Sequence, residues 1–237
     1  MNNISIRMVE NLFVDENGIY ALSKQKERTK VFLRQGNLDY SCLVYSFLMM
    51  LILKGKIVRG DLERHYDHKG DELVEMIRKN LIYNLNGPAK GGMSAYDLAK
   101  KINKWNLGIQ VESFTSVKNY KDRAIPRKQL IDYIEQNLAQ GNPVLICFYN
   151  LYDDYGHAVL AVGYSKLDET IMVYCIDPAS SFMCCSLWNE FIEIRPNEEQ
   201  DYIYSMRNEV IVHSATTILP EQTYFDIPEA ENINKPF

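Results

Sequence analysis

The chain carries no Cys-x-x-Cys pair, no excess of positive charge, no internal repeat and no apolar stretch long enough to cross a bilayer. Its five cysteines, Cys42, Cys147, Cys175, Cys184 and Cys185, are odd in number and irregularly spaced, which argues against both a disulfide framework and a zinc site. With 26 Lys and Arg against 31 Asp and Glu, the net charge of −5 offers no electrostatic footprint for nucleic acid or an anionic membrane. The N-terminus, Met-Asn-Asn-Ile-Ser-Ile-Arg, lacks the basic and then apolar order of a signal peptide. The longest apolar run, Cys42 to Leu53, is shorter than a membrane span and contains Tyr45 and Ser46. These absences predict reduced thiols and a cytoplasmic location, although export by a specialised secretion system also leaves no ordinary signal. They predict neither a nucleic-acid nor a membrane partner.

What is present is an ordinary globular composition, 46% hydrophobic and 24% charged over 237 residues, enough for one sizeable core. Residues 1 to 30 read as an N-terminal element with a turn at Asp15-Glu-Asn-Gly18. Gln35 to Ser41 is a polar loop that leads into a helix opening at Cys42 and ending near Lys54-Gly55, where a cation and a glycine suit a C-terminus. The apolar residues of that helix fall on every face, so it is expected to run buried through the domain. Asp61 to Leu85 is helical in pattern with a break at Lys69-Gly70, and Asn86 to Gly92 is a loop. Ser94 and Asp97 form a capping box for a helix over 95–105. Asn106-Leu-Gly108 ends it, and Ile109 to Phe114 alternates like a strand. Pro126 opens a helix that Gly141 closes. Strand patterns follow over 143–149, 157–164 and 171–176, then a short helix from Leu187 to Phe191 and a late strand over 210–218. Helices first and strands second predict an α+β fold.

Three polar residues stand where polar residues are out of place: Cys42 opens the apolar helix, His157 opens an apolar strand, and Asp177 closes another. A cysteine at a helix start, with a histidine and an aspartate at neighbouring strand ends, is the layout of a thiolate nucleophile, its base and the group that orients the base. The positive end of the helix dipole favours a thiolate at Cys42, and an adjacent imidazolium favours it further. A hairpin centred between Leu167 and Asp168 would set His157 and Asp177 opposite one another to within one residue. An aspartate there fixes the imidazole tautomer and turns the second ring nitrogen to the nucleophile. Oxyanion donors would be the Cys42 backbone N–H and the Gln35 side chain. Each residue alone has a structural reading: cysteine is a common core residue, a strand-end histidine bonds a carbonyl, and Asp177-Pro178 makes a turn. Their joint arrangement is what points to an enzyme, and spacing by itself leaves an ordinary α+β domain as an even alternative.

Other groups carry weaker signals. His65 and His68 with Asp61, Asp67 and Asp71 have a metal-like spacing but read as a solvated helix face, and no cofactor or metal is expected. Gly91-Gly92 reads as a loop rather than a processing site. Cys147 and Cys175 read as core thiols, and the adjacent Cys184-Cys185 as packing rather than a redox pair. Tyr149, Tyr152 and Tyr155 either line a cleft or cover a sheet edge.

Four stretches of the chain resemble the papain-like cysteine peptidases related to bacteriocin double-glycine leader peptidases. They are Gln35-Gly-Asn-Leu-Asp-Tyr-Ser-Cys42-Leu-Val-Tyr-Ser46, Gly92-Met-Ser94-Ala-Tyr-Asp-Leu98, Gly141-Asn-Pro143-Val144-Leu-Ile146, and Tyr155-Gly156-His157 to Tyr164 with Ile176-Asp177-Pro178. The resemblance covers roughly 35 to 191 and implies a papain-like fold in which a helical N-terminal half carries the nucleophile on a buried central helix, packed against a C-terminal antiparallel sheet. It implies a single domain, with 1–34 as an N-terminal extension and 192–237 as a C-terminal strand and tail. By the same resemblance Cys42 is the nucleophile, His157 the general base and acid, Asp177 its orienter and Gln35 the oxyanion donor, acting on a peptide or protein substrate. Leu43 stands where the family usually has glycine, and Gln35 lies one residue further from the cysteine than is usual, which leaves Asn37 as the alternative donor. The same triad also serves acyltransferases and transglutaminase-like enzymes, and a papain-like frame can persist as a silent binding domain.

Overall fold

The computed structural model describes residues 5–36, 41–63, 71–83, 92–117, 124–150, 156–181, 186–195, 202–204 and 208–220. The chain starts with strands: β1 (Arg7–Met8), β2 (Phe13–Asp15), β3 (Gly18–Leu22) and β4 (Arg28–Lys30). The turn between β2 and β3 falls where Asp15-Glu-Asn-Gly18 places it, with the Asn17 N–H donating to Asp15 Oδ1 at 2.7 Å and Gly18 at a φ of 143°. Strands β2, β3 and β4 form a small antiparallel sheet whose inner residues Ile19, Ala21, Thr29 and Val31 are buried. The N-terminal element expected over residues 1 to 30 is, in its described part, built of strands, with burial alternating over 20–23 and 28–31, and helices begin at Cys42.

The helices are α1 (Cys42–Leu53), α2 (Arg59–Glu63), α3 (Glu72–Ile77), which runs on into a π-helical turn at Arg78–Ile82, α4 (Ala95–Trp105) and α5 (Arg127–Ala139). In α1 every residue but Tyr45 is buried, which is why its apolar residues occupy all faces. Ser94 caps α4 as its spacing predicts, accepting from the Asp97 N–H at 3.1 Å, and Asn106 closes it in the left-handed conformation. Among the described residues no helix is long and apolar enough to cross a membrane.

The remaining strands are β5 (Val111–Thr115), β6 (Val144–Asn150), β7 (Gly156–Leu167), β8 (Thr170–Ile176), β9 (Glu190–Ile194), β10 (Tyr202–Tyr204) and β11 (Asn208–Ile218). They pair antiparallel in the order β7-β6-β11-β10-β9-β8, and β8 returns to β7, so the sheet closes on itself; β1 joins it on β7 and β5 on β11. The long strands β7 and β11 make this possible, each pairing with different neighbours along different parts of its length. Helix α1 packs against β6 and β7, α5 against β7 and β11, and α4 against β5 and β11.

Two expectations for the later part of the chain need correction. No helix forms from Leu187 to Phe191: the Asn189 N–H donates to the Cys175 carbonyl at 3.1 Å, and Glu190–Ile194 is a strand on β8. Phe191 to Ile194 alternate in burial, a strand period that outweighs the short helix-like run before it. The β7–β8 hairpin turns at Asp168-Glu169, one residue later than expected, with Asp168 in the left-handed conformation. Its ladder then slips at a bulge between Ala161 and Gly163, and the last pair is Leu160 with Ile176.

Candidate active site

Cys42 is the first residue of α1, and the Ser41 side chain makes no cap hydrogen bond to the helix. The first-turn N–H groups and the positive end of the helix dipole thus stand at the sulfur without the usual capping oxygen. One turn further, Ser46 Oγ donates to the Ala158 carbonyl at 3.1 Å. That bond fastens the start of α1 to β7 at the residue after His157. Cys42 and His157 both line a cavity of about 300 Å³.

His157 is 6% exposed, with Nε2 2.8 Å from Asp177 Oδ1 and Phe148 edge-on at 5.5 Å between ring centroids. Burial pushes its pKa down, but the hydrogen bond to Asp177 and the charge of its carboxylate, with Cys42 close by, raise it to about 9. At neutral pH the ring is therefore an imidazolium between a carboxylate and a sulfur.

Asp177 is held from several directions. Its Oδ1 accepts from the Ala179 N–H at 2.7 Å and its Oδ2 from Ser180 Oγ at 3.0 Å. Asn189 clamps its backbone: the Asp177 N–H donates to Asn189 Oδ1 at 2.7 Å, and Asn189 Nδ2 donates to the Asp177 carbonyl at 2.9 Å. The Asp177-Pro178 turn forms, and the same Oδ1 that accepts from its Ala179 N–H lies 2.8 Å from His157 Nε2.

Gln35 sits beside this turn, its N–H donating to the Pro178 carbonyl at 3.0 Å. Its side-chain Oε1 is buried without a hydrogen-bond partner among the described residues. Gln35 is not among the described residues that line the cavity, and Asn37 lies outside the described residues.

Other candidates fall partly within the described residues. Asp61 accepts from the Val58 N–H at 2.9 Å and Asp71 from the Leu73 and Val74 N–H groups, so both carboxylates serve helix starts. His65, Asp67 and His68 lie outside the described residues, as do Cys184, Cys185, Gly91, Tyr152 and Tyr155. Among the described residues no group of three or more His, Cys, Asp or Glu is placed to hold a metal ion. Cys175 is a core thiol, but Cys147, buried as expected, is also part of the cavity wall. Burial, with the charge of nearby Cys42, pushes the Cys147 thiol well above the ordinary range. Gly92 and Tyr149 line the cavity too.

Two residues escaped the sequence reading. Asn189 carried no motif, only its place before the alternating run 191–194. His213 interrupts the apolar run Val210-Ile-Val in β11 just as His157 opens its own strand, and the same anomaly in pattern could have drawn notice to it; it too lines the cavity.

Residues 22–193 match the model of the Peptidase_C39 like family. The matched span takes in Gln35, Cys42, His157, Asp177 and Asn189, and leaves β1, β2, β10 and β11 outside it. A comparison with curated proteins gives no match.

Proposed function

Because the chain belongs to the Peptidase_C39 like family, a family that implies a papain-like fold and a cysteine peptidase, we propose that it hydrolyses a peptide or protein amide bond with Cys42 as nucleophile, His157 as acid and base, and Asp177 as orienter. The observation that carries this reading is the 2.8 Å bond between His157 and Asp177 on a ring that lines the same cavity as Cys42.

In the first half-reaction the Cys42 sulfur attacks the scissile carbonyl carbon, forming a C–S bond and a tetrahedral oxyanion. The Cys42 backbone N–H at the start of α1 is one donor to that oxygen. Gln35 is the second: its buried Oε1 has no hydrogen-bond partner among the described residues, its loop is bonded to the Asp177 turn, and amide oxygen and nitrogen exchange places by a half-turn. Collapse of the intermediate breaks the C–N bond, and the His157 imidazolium gives its proton to the leaving amine. Water then attacks the thioester while neutral His157 takes its proton; the C–S bond breaks, releasing acid and thiolate.

Alkylation of Cys42 by iodoacetamide across pH tests this. Wild type should react at neutral pH at least about tenfold faster than an unfolded thiol, and His157→Ala should lose that excess. A wild-type rate equal to that of an ordinary thiol would sink the reading.

A further inference from the structure

A row of residues crosses three neighbouring strands along the wall of the cavity that Cys42 lines. Tyr149 on β6 stands opposite Gly156 on β7 and opposite Ile211 on β11. On β11 the ladder skips one residue: Val212 pairs with Phe148 and Ser214 with Cys147, so His213 is the extra residue of a bulge. The bulge is held from its far side, where Thr115 Oγ1 and the Ser116 N–H each donate to the His213 carbonyl at 2.8 Å. His213 Nδ1 lies 2.9 Å from Ser214 Oγ.

The result is a shelf. The His213 imidazole stacks on the Tyr149 ring at 4.1 Å between centroids and 19° between planes. The Tyr149 ring also reaches over Gly156, where an added Cβ would come within 3.4 Å of its Cε1. Glycine at that position lets the ring lie flat across the strand end. Despite these contacts Tyr149 is 47% exposed, and both rings face the cavity that Cys42 and His157 line. Burial holds the His213 imidazole neutral at neutral pH, with its pKa lowered to about 4.

The rest of the wall selects by charge. Leu43, Met93, Ala95 and Val117 contribute apolar surface, and no Lys, Arg, Asp or Glu is among the described lining residues. Beside these two rings a charged side chain gives up its water with no Lys, Arg, Asp or Glu of the described lining to pair with, the charge at His157 being held by Asp177. An aromatic ring instead gains stacked or edge contacts with the two rings already in place.

We propose that Tyr149 and His213 form a substrate subsite that receives an uncharged aromatic side chain next to the bond being cleaved. The proposal rests on the reading of Cys42 as nucleophile and names its substrate class: peptides with phenylalanine, tyrosine or tryptophan beside the scissile bond. His213 lies beyond residues 22–193, so a strand outside the family-matched span completes this wall.

Labelling of Cys42 by a matched series of iodoacetamides tests it without knowledge of the natural substrate. The series is iodoacetamide itself, its N-methyl, N-benzyl and N-(4-carboxybenzyl) derivatives, each rate divided by that with glutathione. In wild type the benzyl compound should label Cys42 about tenfold or more faster than the methyl compound, and the carboxybenzyl compound should lose that advantage. Tyr149→Ala and His213→Ala should each remove most of the benzyl preference, read in every variant as the benzyl rate divided by that variant's own rate with plain iodoacetamide. Tyr149→Phe, which keeps the ring, should retain it, and thermal melting of each variant checks that the fold persists. No benzyl preference in wild type, or a preference that survives both alanine variants, overturns the subsite. Slow iodoacetamide labelling of wild type overturns the nucleophile instead, and the two failures are read in separate arms.

Discussion

His157 and Asp177 are joined by a 2.8 Å hydrogen bond although their strands do not place them opposite one another. Continued past its last pair, Leu160 with Ile176, the β7–β8 ladder would set Asp177 across from Val159, two residues from His157. The contact is diagonal, and such neighbours meet only when a side chain reaches along the strand. Asp177 can do so because the chain leaves β8 into the Asp177-Pro178 turn, with Ala179 and Ser180 donating to its carboxylate.

Asp177→Asn tests what that reach accomplishes. Burial opposes the charge on His157, and the bond to the Asp177 carboxylate, with Cys42 nearby, overcomes it. With the carboxylate neutralised, the His157 pKa should fall from about 9 by roughly one unit or more, read by NMR titration of labelled histidine. Amide hydrolysis should drop about a hundredfold or more. An unchanged titration would mean that Asp177 does not govern the charge of the ring.

Asn189 offers a subtler test, since it touches only the backbone of Asp177. Asn189→Ala leaves a buried N–H and a buried carbonyl without these partners, a loss of about 1–3 kcal/mol in stability. As a positioning residue it should also lower the His157 pKa by letting Asp177 drift, whereas a purely structural role would shift the urea midpoint and leave the titration in place. Asn189→Asp, which keeps one acceptor for the Asp177 N–H but loses the donor, should fall between alanine and wild type in stability.

Much of this arrangement was legible in the residues. Cys42, His157 and Asp177 announced themselves because each breaks an apolar run, and Ser94 with Asp97 fixed the start of α4 by local chemistry alone. The β7–β8 register was less accessible. A bulge between Ala161 and Gly163 leaves no mark in an apolar sequence, and the turn moved one residue because Asp168 tolerates a left-handed backbone. The helix expected at Leu187 failed because pairing with β8 is non-local and a short helical pattern cannot compete with it. The opening strands were missed for a similar reason: β1 is two residues long and exists only through its partner on β7. Gln35 is intermediate, since its loop is bonded to the Asp177 turn while its role in the reaction depends on a substrate.

That dependence of β1 on β7 is itself testable at Gly163, which pairs with Met8. An added Cβ there would meet Met8 Sδ and come within 2.6 Å of the Arg7 carbonyl oxygen. Gly163→Ala should therefore push β1 off the sheet and lower stability by about 1–3 kcal/mol, measured by urea unfolding. Adding Met8→Ala should recover only part, because the Arg7 carbonyl belongs to the backbone and cannot be trimmed. Full recovery in the double variant would mean that the side chain alone sets the limit.

The neutral His213 makes a prediction about acid. Burial lowers its pKa from the ordinary 6.5 to about 4 in the folded protein, so between these values the unfolded chain binds a proton that the folded chain does not. Stability from this group is fully present above pH 6.5 and is lost as pH falls toward 4, with a slope of at most about 1.4 kcal/mol per pH unit. His213→Gln, which cannot titrate, should flatten that limb, so that the wild-type and variant stabilities converge as the pH is lowered through the window. The carboxylates contribute equally to both proteins, and the difference in urea midpoint between pH 7 and pH 4.5 isolates the histidine. A constant difference across that range would mean that His213 carries the same charge folded and unfolded, and that the imidazole stacked on Tyr149 titrates as it does in the unfolded chain.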